Sequence, residues 1–200
     1  MASVRPMTAS DLFNFNTCNL DHLTETYNVT FYLDYLAKWP HLCRVIEGHD
    51  GRIEGYSKTE SSPYSPLPSN TPYEPSKHLS THPHYLPFHG HITALTISPS
   101  ARRLGYATLL TASLEAQCDA HNAWFVDLFV RAENGVAQEL YRKMGYSVFR
   151  RVVGYYSGGG DGKGEGTDAF DMRKPLSRDV KGECVRSDGE RWEVEPEDVW

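Results

Sequence analysis

No stretch of this 200-residue chain approaches the ~20 consecutive apolar residues that a membrane-spanning helix needs, so no membrane association is expected. Residues Met1 to Asp11 also lack the apolar core of a secretory signal. Cysteine is scarce: Cys18, Cys43, Cys118 and Cys184 stand far apart with no Cys-x-x-Cys pair. That spacing argues against a zinc site or a disulfide framework, leaves no metal expected, and points to a reducing, cytoplasmic setting. Basic excess is missing too. The formal net charge is −6, and residues 175–200 carry four Lys/Arg against eight Asp/Glu, so the remainder is close to neutral. A broad nucleic-acid-binding face is therefore not expected.

What is present is enough for one folded domain, with 40% hydrophobic residues and twelve tyrosines. Ser3 to Met7 reads as a strand, and Thr8-Ala9-Ser10-Asp11 as a capped helix start with Leu12, Phe13 and Phe15 on its apolar side. A second helix is predicted from about Thr30 to Trp39, with Phe31, Tyr35, Leu36 and Trp39 on one face and Pro40 ending it. Strands Leu42 to Glu47 and Arg52 to Lys58 follow, joined by the hairpin signal His49-Asp50-Gly51. Ser61 to Pro87 holds seven prolines and no sustained period, which predicts an insertion, about 59–87, rather than a packed element.

Beyond it the predicted order is β-α-β-α-β-β. It comprises strand Gly90 to Ser98, a helix over about 104–121, strand Trp124 to Val130, helix Asn134 to Met144, strand Ser147 to Tyr155, a Gly-rich loop at 158–166 and strand Ala169 to Lys174. The apolar run Trp124 to Val130 implies parallel pairing through a crossover helix. In the first of these helices Leu104, Ala107, Leu110, Leu114 and Cys118 form the core face. In the second, Val136, Leu140 and Met144 do so, and Asn134 caps it. The fold class is α/β (α+β), with a domain at 1–174 and a flexible acidic tail at 175–200.

The chemistry concentrates where the strand Ile92 to Ile97 turns into a helix through Arg102-Arg103-Leu104-Gly105-Tyr106-Ala107. The first N–H groups of a helix lack internal partners and sit at the positive end of its dipole, so they attract anions. Gly105 and Ala107 let a pyrophosphate approach the main chain, while Arg102 or Arg103 reaches a phosphate oxygen. The spacing has neither the third glycine of a dinucleotide turn nor the Gly-Lys-Ser/Thr of a P-loop. By itself an ordinary helix start explains it equally well.

Arg102-x-x-Gly105-x-Ala107 resembles the acetyl-CoA loop of the GCN5-related N-acetyltransferases, and Asn134-x-x-Ala137-x-x-x-Tyr141-x-x-x-Gly145-Tyr146 resembles that family's second pattern. Longer segments are similar to the catalytic subunits of NatB-type N-terminal acetyltransferases. These are Asp11 to Asn16, Asn19 to Tyr27, Phe31 to Pro40, His89 to Leu95, Phe125 to Arg131, Tyr155-Tyr156-Ser157 and Asp171 to Lys174. The resemblance spans about 1–57 and 88–179. It implies a mixed, mostly antiparallel sheet with a parallel central pair and helices on both faces. It also implies acetyl transfer from acetyl-CoA to the α-amine of proteins beginning Met-Asp, Met-Glu, Met-Asn or Met-Gln.

On that resemblance Tyr141 donates a proton to the departing thiolate, and His91 and Glu25 are the candidate bases, His91 also reading the second substrate residue. Leu95, Thr96 and Ile97 bond the pantetheine arm, while the amides from Leu104 through Tyr106 to Ala107, with Arg102, Arg103 and Asn134, take the rest of the cofactor. Glu25, Tyr27, His91, Thr93, Phe129, Asn134, Tyr155 and Tyr156 meet the peptide, although strand alternation would send Tyr155 and Tyr156 to opposite faces. Core packing explains Thr93 and Phe129 equally well. A large helical-repeat auxiliary subunit and the ribosome with its nascent chains are the implied partners, the former docking on the first two helices through Phe13, Phe15, Tyr32 and Tyr35. Two alternatives stay open: an enzyme of this fold acting on lysine side chains or small amines, and a non-catalytic acetyl-CoA-binding scaffold.

Overall fold

Asn28 starts the first α-helix by accepting a hydrogen bond from the Phe31 amide at 2.9 Å, a cap worth ~1 kcal/mol. That helix, α1, spans Val29–Lys38 and stops before Pro40, which opens a 3-10 turn instead. The computed structural model describes residues 2–20, 24–61, 87–156 and 166–199. Most of the Pro-rich insertion and most of the glycine loop lie outside the described residues. The strands are β1 Ser3–Pro6, β2 Arg44–Glu47, β3 Ile53–Ser61, β4 Gly90–Ile97, β5 Phe125–Arg131, β6 Ser147–Tyr156, β7 Thr167–Pro175 and β8 Glu193–Val194. Two further helices, α2 (Tyr106–Ala120) and α3 (Gly135–Lys143), complete the predicted β-α-β-α-β-β order from β4 to β7.

The chain forms two compact units, Met1–Ser61 with Ile92–Gln117, and Ser62–His91 with Cys118–Trp200. In the first unit the strand order is β1-β2-β3-β4, with β1/β2 and β2/β3 antiparallel. Its core gathers Leu12, Phe15, Tyr32, Tyr35, Val45, Ile53 and Tyr56, with Phe15 edge-on to Tyr32 and Tyr56 at 5.1 and 5.0 Å. The helix expected at Thr8 is a single 3-10 turn, Ala9–Phe13. Asp11 pins it by accepting from the Thr8 amide and from Arg5, and the Arg5 hydrogen bonds draw its pKa down to about 2. Phe15, Tyr32 and Tyr35 are buried, so of the four residues expected to dock a partner only Phe13, 86% exposed, faces solvent.

In the second unit the order is β5-β7-β6-β8, antiparallel for β5/β7 and β7/β6 and parallel for β6/β8. The C-terminal residues are no loose tail: β8 pairs with β6, and Cys184 and Val199 are buried. Arg150, itself bonded to Asp171, donates to the carbonyls of Asp198 and Val199. Gly189 lies so close to β6 that a Cβ there would stand 1.9 Å from the Val148 carbonyl oxygen.

Two predicted core faces also shift. Leu104 is exposed because α2 begins only at Tyr106, while Leu110, Leu114 and Cys118 are buried as expected. In α3 Val136 is 80% exposed, and Gln138 and Tyr141 take the inner face. Gln138 can be buried because its amide donates to the carbonyls of Arg131 and Ala132.

Candidate active site

In the first unit, a 3-10 turn at Pro99–Ala101 leads from β4 into a loop where Arg103 and Gly105 take left-handed backbone angles, φ 66° and 81°. Leu109 donates to the Gly105 carbonyl, so the helical ladder starts there and the amides just before it precede the ladder. No atom lies within 4 Å of where a Gly105 Cβ would stand, so that side of the loop is open. Arg102, Arg103 and Leu104 are exposed, and Tyr106 and Ala107 half-buried. This turn suits a pyrophosphate through amides that precede the helical ladder, an open side at Gly105 and two exposed arginines. Leu95 and Ile97 of β4 are half-buried, and Thr96 is buried.

The same unit holds the segment before α1. Glu25 is exposed, and Tyr27 is half-buried and stacked on Phe31 with ring centres 4.4 Å apart. Thr93 donates from its hydroxyl to the Tyr35 oxygen at 3.2 Å.

The second unit gathers another group. His91, buried at the start of β4, has its Nδ1 2.8 Å from the Asp127 carboxylate of β5. An ionised carboxylate only accepts, so Nδ1 carries the proton and Nε2 is the basic nitrogen of the neutral ring. Burial opposes ionisation of Asp127, but the His89 and His91 rings, the His91 hydrogen bond and Arg173 outweigh it and lower its pKa to about 2. His89 stacks flat on Phe125 at 4.7 Å and donates from Nδ1 to the Pro87 carbonyl; burial lowers its pKa and favours the neutral ring. Arg173, wholly buried, pairs with Asp171.

Phe129 links His91 to the tyrosine pair. Its ring lies 5.5 Å from the His91 ring and stacks on Tyr155 at 4.7 Å, while Tyr156 donates to its carbonyl oxygen at 3.2 Å. Tyr155 and Tyr156 therefore do not part to opposite faces as alternation implied. The β6/β7 register slips between Val152 and Tyr156, and this irregularity brings both rings beside Phe129.

Tyr141 sits on the inner face of α3, edge-on to Tyr146 at 5.6 Å, and burial pushes its phenol well above the ordinary range. Its hydroxyl therefore stays protonated at neutral pH. Asn134 accepts from the Ala137 amide at 3.1 Å, the predicted cap. The structure thus brings His91, Phe129, Tyr155 and Tyr156 together, and places Glu25, Tyr27, Thr93 and the 95–107 stretch in the other unit. Asp127 was missed from the sequence. Its signal was a lone carboxylate inside the apolar run of β5, with two histidines spaced by two residues. Among the described residues no group of three or more His, Cys, Asp or Glu is placed to hold a metal ion.

The profile of the acetyltransferase (GNAT) family matches residues 14–146. The N-terminal acetyltransferase B complex catalytic subunit of Schizosaccharomyces pombe is 45% identical, covering 100% of this chain and 99% of the relative. A crystal structure of Chaetomium thermophilum Naa20 in complex with a bisubstrate analogue superposes with a TM-score of 0.85 at 49% identity, covering 99% of each chain. A NatB acetyltransferase complex bound to a bisubstrate inhibitor gives a TM-score of 0.74 at 37% identity, again covering 99% of each chain. The chain belongs to the acetyltransferase (GNAT) family, in the branch that contains the catalytic subunits of N-terminal acetyltransferase B.

Proposed function

We propose that the protein transfers acetyl from acetyl-CoA to the N-terminal α-amine of polypeptides beginning Met-Asp, Met-Glu, Met-Asn or Met-Gln, as the catalytic subunit of a NatB-like complex. The observation that carries this reading is the end-to-end likeness to a B-type catalytic subunit at 45% identity. The Gly105 turn would take the pyrophosphate through its amides, with Arg102 or Arg103 adding charge, and β4 from Leu95 to Ile97 would bond the pantetheine arm.

The α-amine of a peptide titrates near pH 8, so a useful fraction is already neutral at pH 7 and the base has one proton to remove. His91 is suited to this or to binding the second substrate residue, because Asp127 orients its ring and favours its charged form. Glu25 is the second candidate for the base. Nitrogen attack on the thioester carbonyl forms the amide bond as the C–S bond breaks. The departing thiolate needs a proton, and Tyr141, held neutral by burial, can give one. Tyr27, Thr93, Phe129, Asn134, Tyr155 and Tyr156 would line the peptide's path.

The large helical-repeat auxiliary subunit of this reading would find exposed apolar residues at Phe13, Leu20, Val29 and Leu33. Work on nascent chains at the ribosome would place the protein in the cytoplasm. The test is a panel of peptides differing at the second residue, assayed with and without the auxiliary subunit. Turnover of Met-Asp, Met-Glu, Met-Asn and Met-Gln peptides is expected. Equal turnover of Met-Leu or Ser-initiated peptides would overturn the specificity.

A further inference from the structure

β3 carries Lys58 into the interior of the first unit, where the residue is 1% exposed. A buried ammonium ordinarily finds a carboxylate or several carbonyls. Here no hydrogen-bond acceptor among the described residues reaches Nζ. What surrounds it is aromatic: Nζ lies 3.3 Å from the ring centre of Phe31, 3.9 Å from Tyr35, 4.3 Å from Tyr27 and 5.0 Å from Tyr32. Ring faces carry negative potential, so the cage is a partial substitute for water.

The cage is built from α1 and from Tyr27 in the segment just before it. Tyr27 lies two residues beyond Glu25, and its ring stacks on Phe31 in the first turn of α1. Under the function proposed above, the segment 24–28 lies against the peptide. We propose that Lys58 is a positioning residue for the acceptor: its ammonium pins Tyr27 and Phe31 from beneath and so sets the segment that carries Glu25 and Tyr27. The inference rests on that functional reading.

The pin has a built-in pH dependence. Burial lowers the Lys58 pKa to about 7, against smaller opposing effects from Cys43 and Glu60. The other titratable groups facing it are the phenols of Tyr27, Tyr32 and Tyr35. Burial lifts Cys43 to about 11 and Tyr27 to about 12, and raises Tyr35 further, so these three stay neutral where Lys58 titrates. Lys58 therefore loses its charge, and the cage its guest cation, as pH rises through neutrality.

The test compares wild type with Lys58→Met, which keeps an unbranched chain of similar length and removes the charge. The full chain is assayed with its auxiliary subunit, using the best peptide of the second-residue panel, so a failed Met-Asp specificity leaves the comparison intact. The ratio of peptide KM, variant over wild type, is expected to be about fivefold at pH 6, the scale of one modest cation–ring contact, and to fall towards one at pH 8.5. Taking the ratio cancels the titration of the peptide amine, which is common to both proteins. The KM for acetyl-CoA should stay within twofold, and the variant should melt higher than wild type at pH 6, since an ammonium without hydrogen bonds is removed. A pH-independent ratio, an acetyl-CoA KM that moves in step with the peptide KM, or a lower melting temperature would each overturn the proposal.

Discussion

Replacing Asp127 by Asn keeps the shape of the side chain and removes its charge, which isolates what the carboxylate contributes to the second unit. Its pKa falls from 3.8 to about 2 on folding, which favours the ionised form by on the order of 2 kcal/mol. The sign follows from linkage: the folded state holds the proton less tightly than the unfolded one. The stabilisation is therefore complete above about pH 5, roughly half lost by pH 3, and gone below both pKa values. Asp127→Asn should accordingly lower the unfolding free energy by about 2–4 kcal/mol at pH 7, the upper end reflecting Arg173 left with less counter-charge. Urea unfolding of both proteins at pH 7, 4 and 3 measures this, and the gap between them should narrow as pH falls. Peptide turnover should also drop about tenfold or more at pH 7, because Asn still accepts from His91 Nδ1 but no longer favours the charged ring. A stability gap that is absent, or constant from pH 7 to 3, would refute the electrostatic account of Asp127.

Tyr141→Phe should lower kcat at least tenfold while the KM for acetyl-CoA changes less than threefold; an unchanged kcat at saturating substrate would remove Tyr141 as the acid. Gly105→Ala forces a Cβ onto a backbone with φ 81°, at a cost of about 1–2 kcal/mol. It should raise the KM for acetyl-CoA several-fold with a smaller effect on peptide KM, and equal effects on both would speak against a phosphate-binding turn. Gly189→Ala places a methyl 1.9 Å from the Val148 carbonyl oxygen. Since that atom is main chain, a loss of about 2 kcal/mol or more in thermal unfolding is expected, whereas a neutral effect would mean that the C-terminal segment does not pack on β6.

The elements that local chemistry specifies were legible in the sequence. The Asn134 cap, the Asp50-Gly51 hairpin and the Leu110, Leu114, Cys118 stripe each carry their own signal, and each is found in the structure. The Arg102 to Ala107 turn stood out as a departure from the common phosphate loops and as a resemblance to the acetyl-CoA loop of one family. What could not be read locally was set by partners distant in the chain. Val136 loses the inner face of α3 because Gln138 finds two carbonyls near β5. The last 25 residues have no apolar period because polar groups hold them: Arg150 grips two of their carbonyls, and Asp179 accepts from the amides of Glu183 and Cys184. Asp127 and Lys58 each break an apolar or strand pattern, and only the fold shows that one is neutralised by histidine and arginine and the other is held by four rings.

The proposed activity places the acetyl group on an N-terminal α-amine of defined sequence. Its most direct test is a fragment mass spectrum of the product formed from acetyl-CoA and a Met-Asp peptide that also contains an internal lysine. A single acetyl group is expected, on the N-terminal methionine, with the lysine unmodified. An acetyl group on the lysine with the α-amine left free would contradict it.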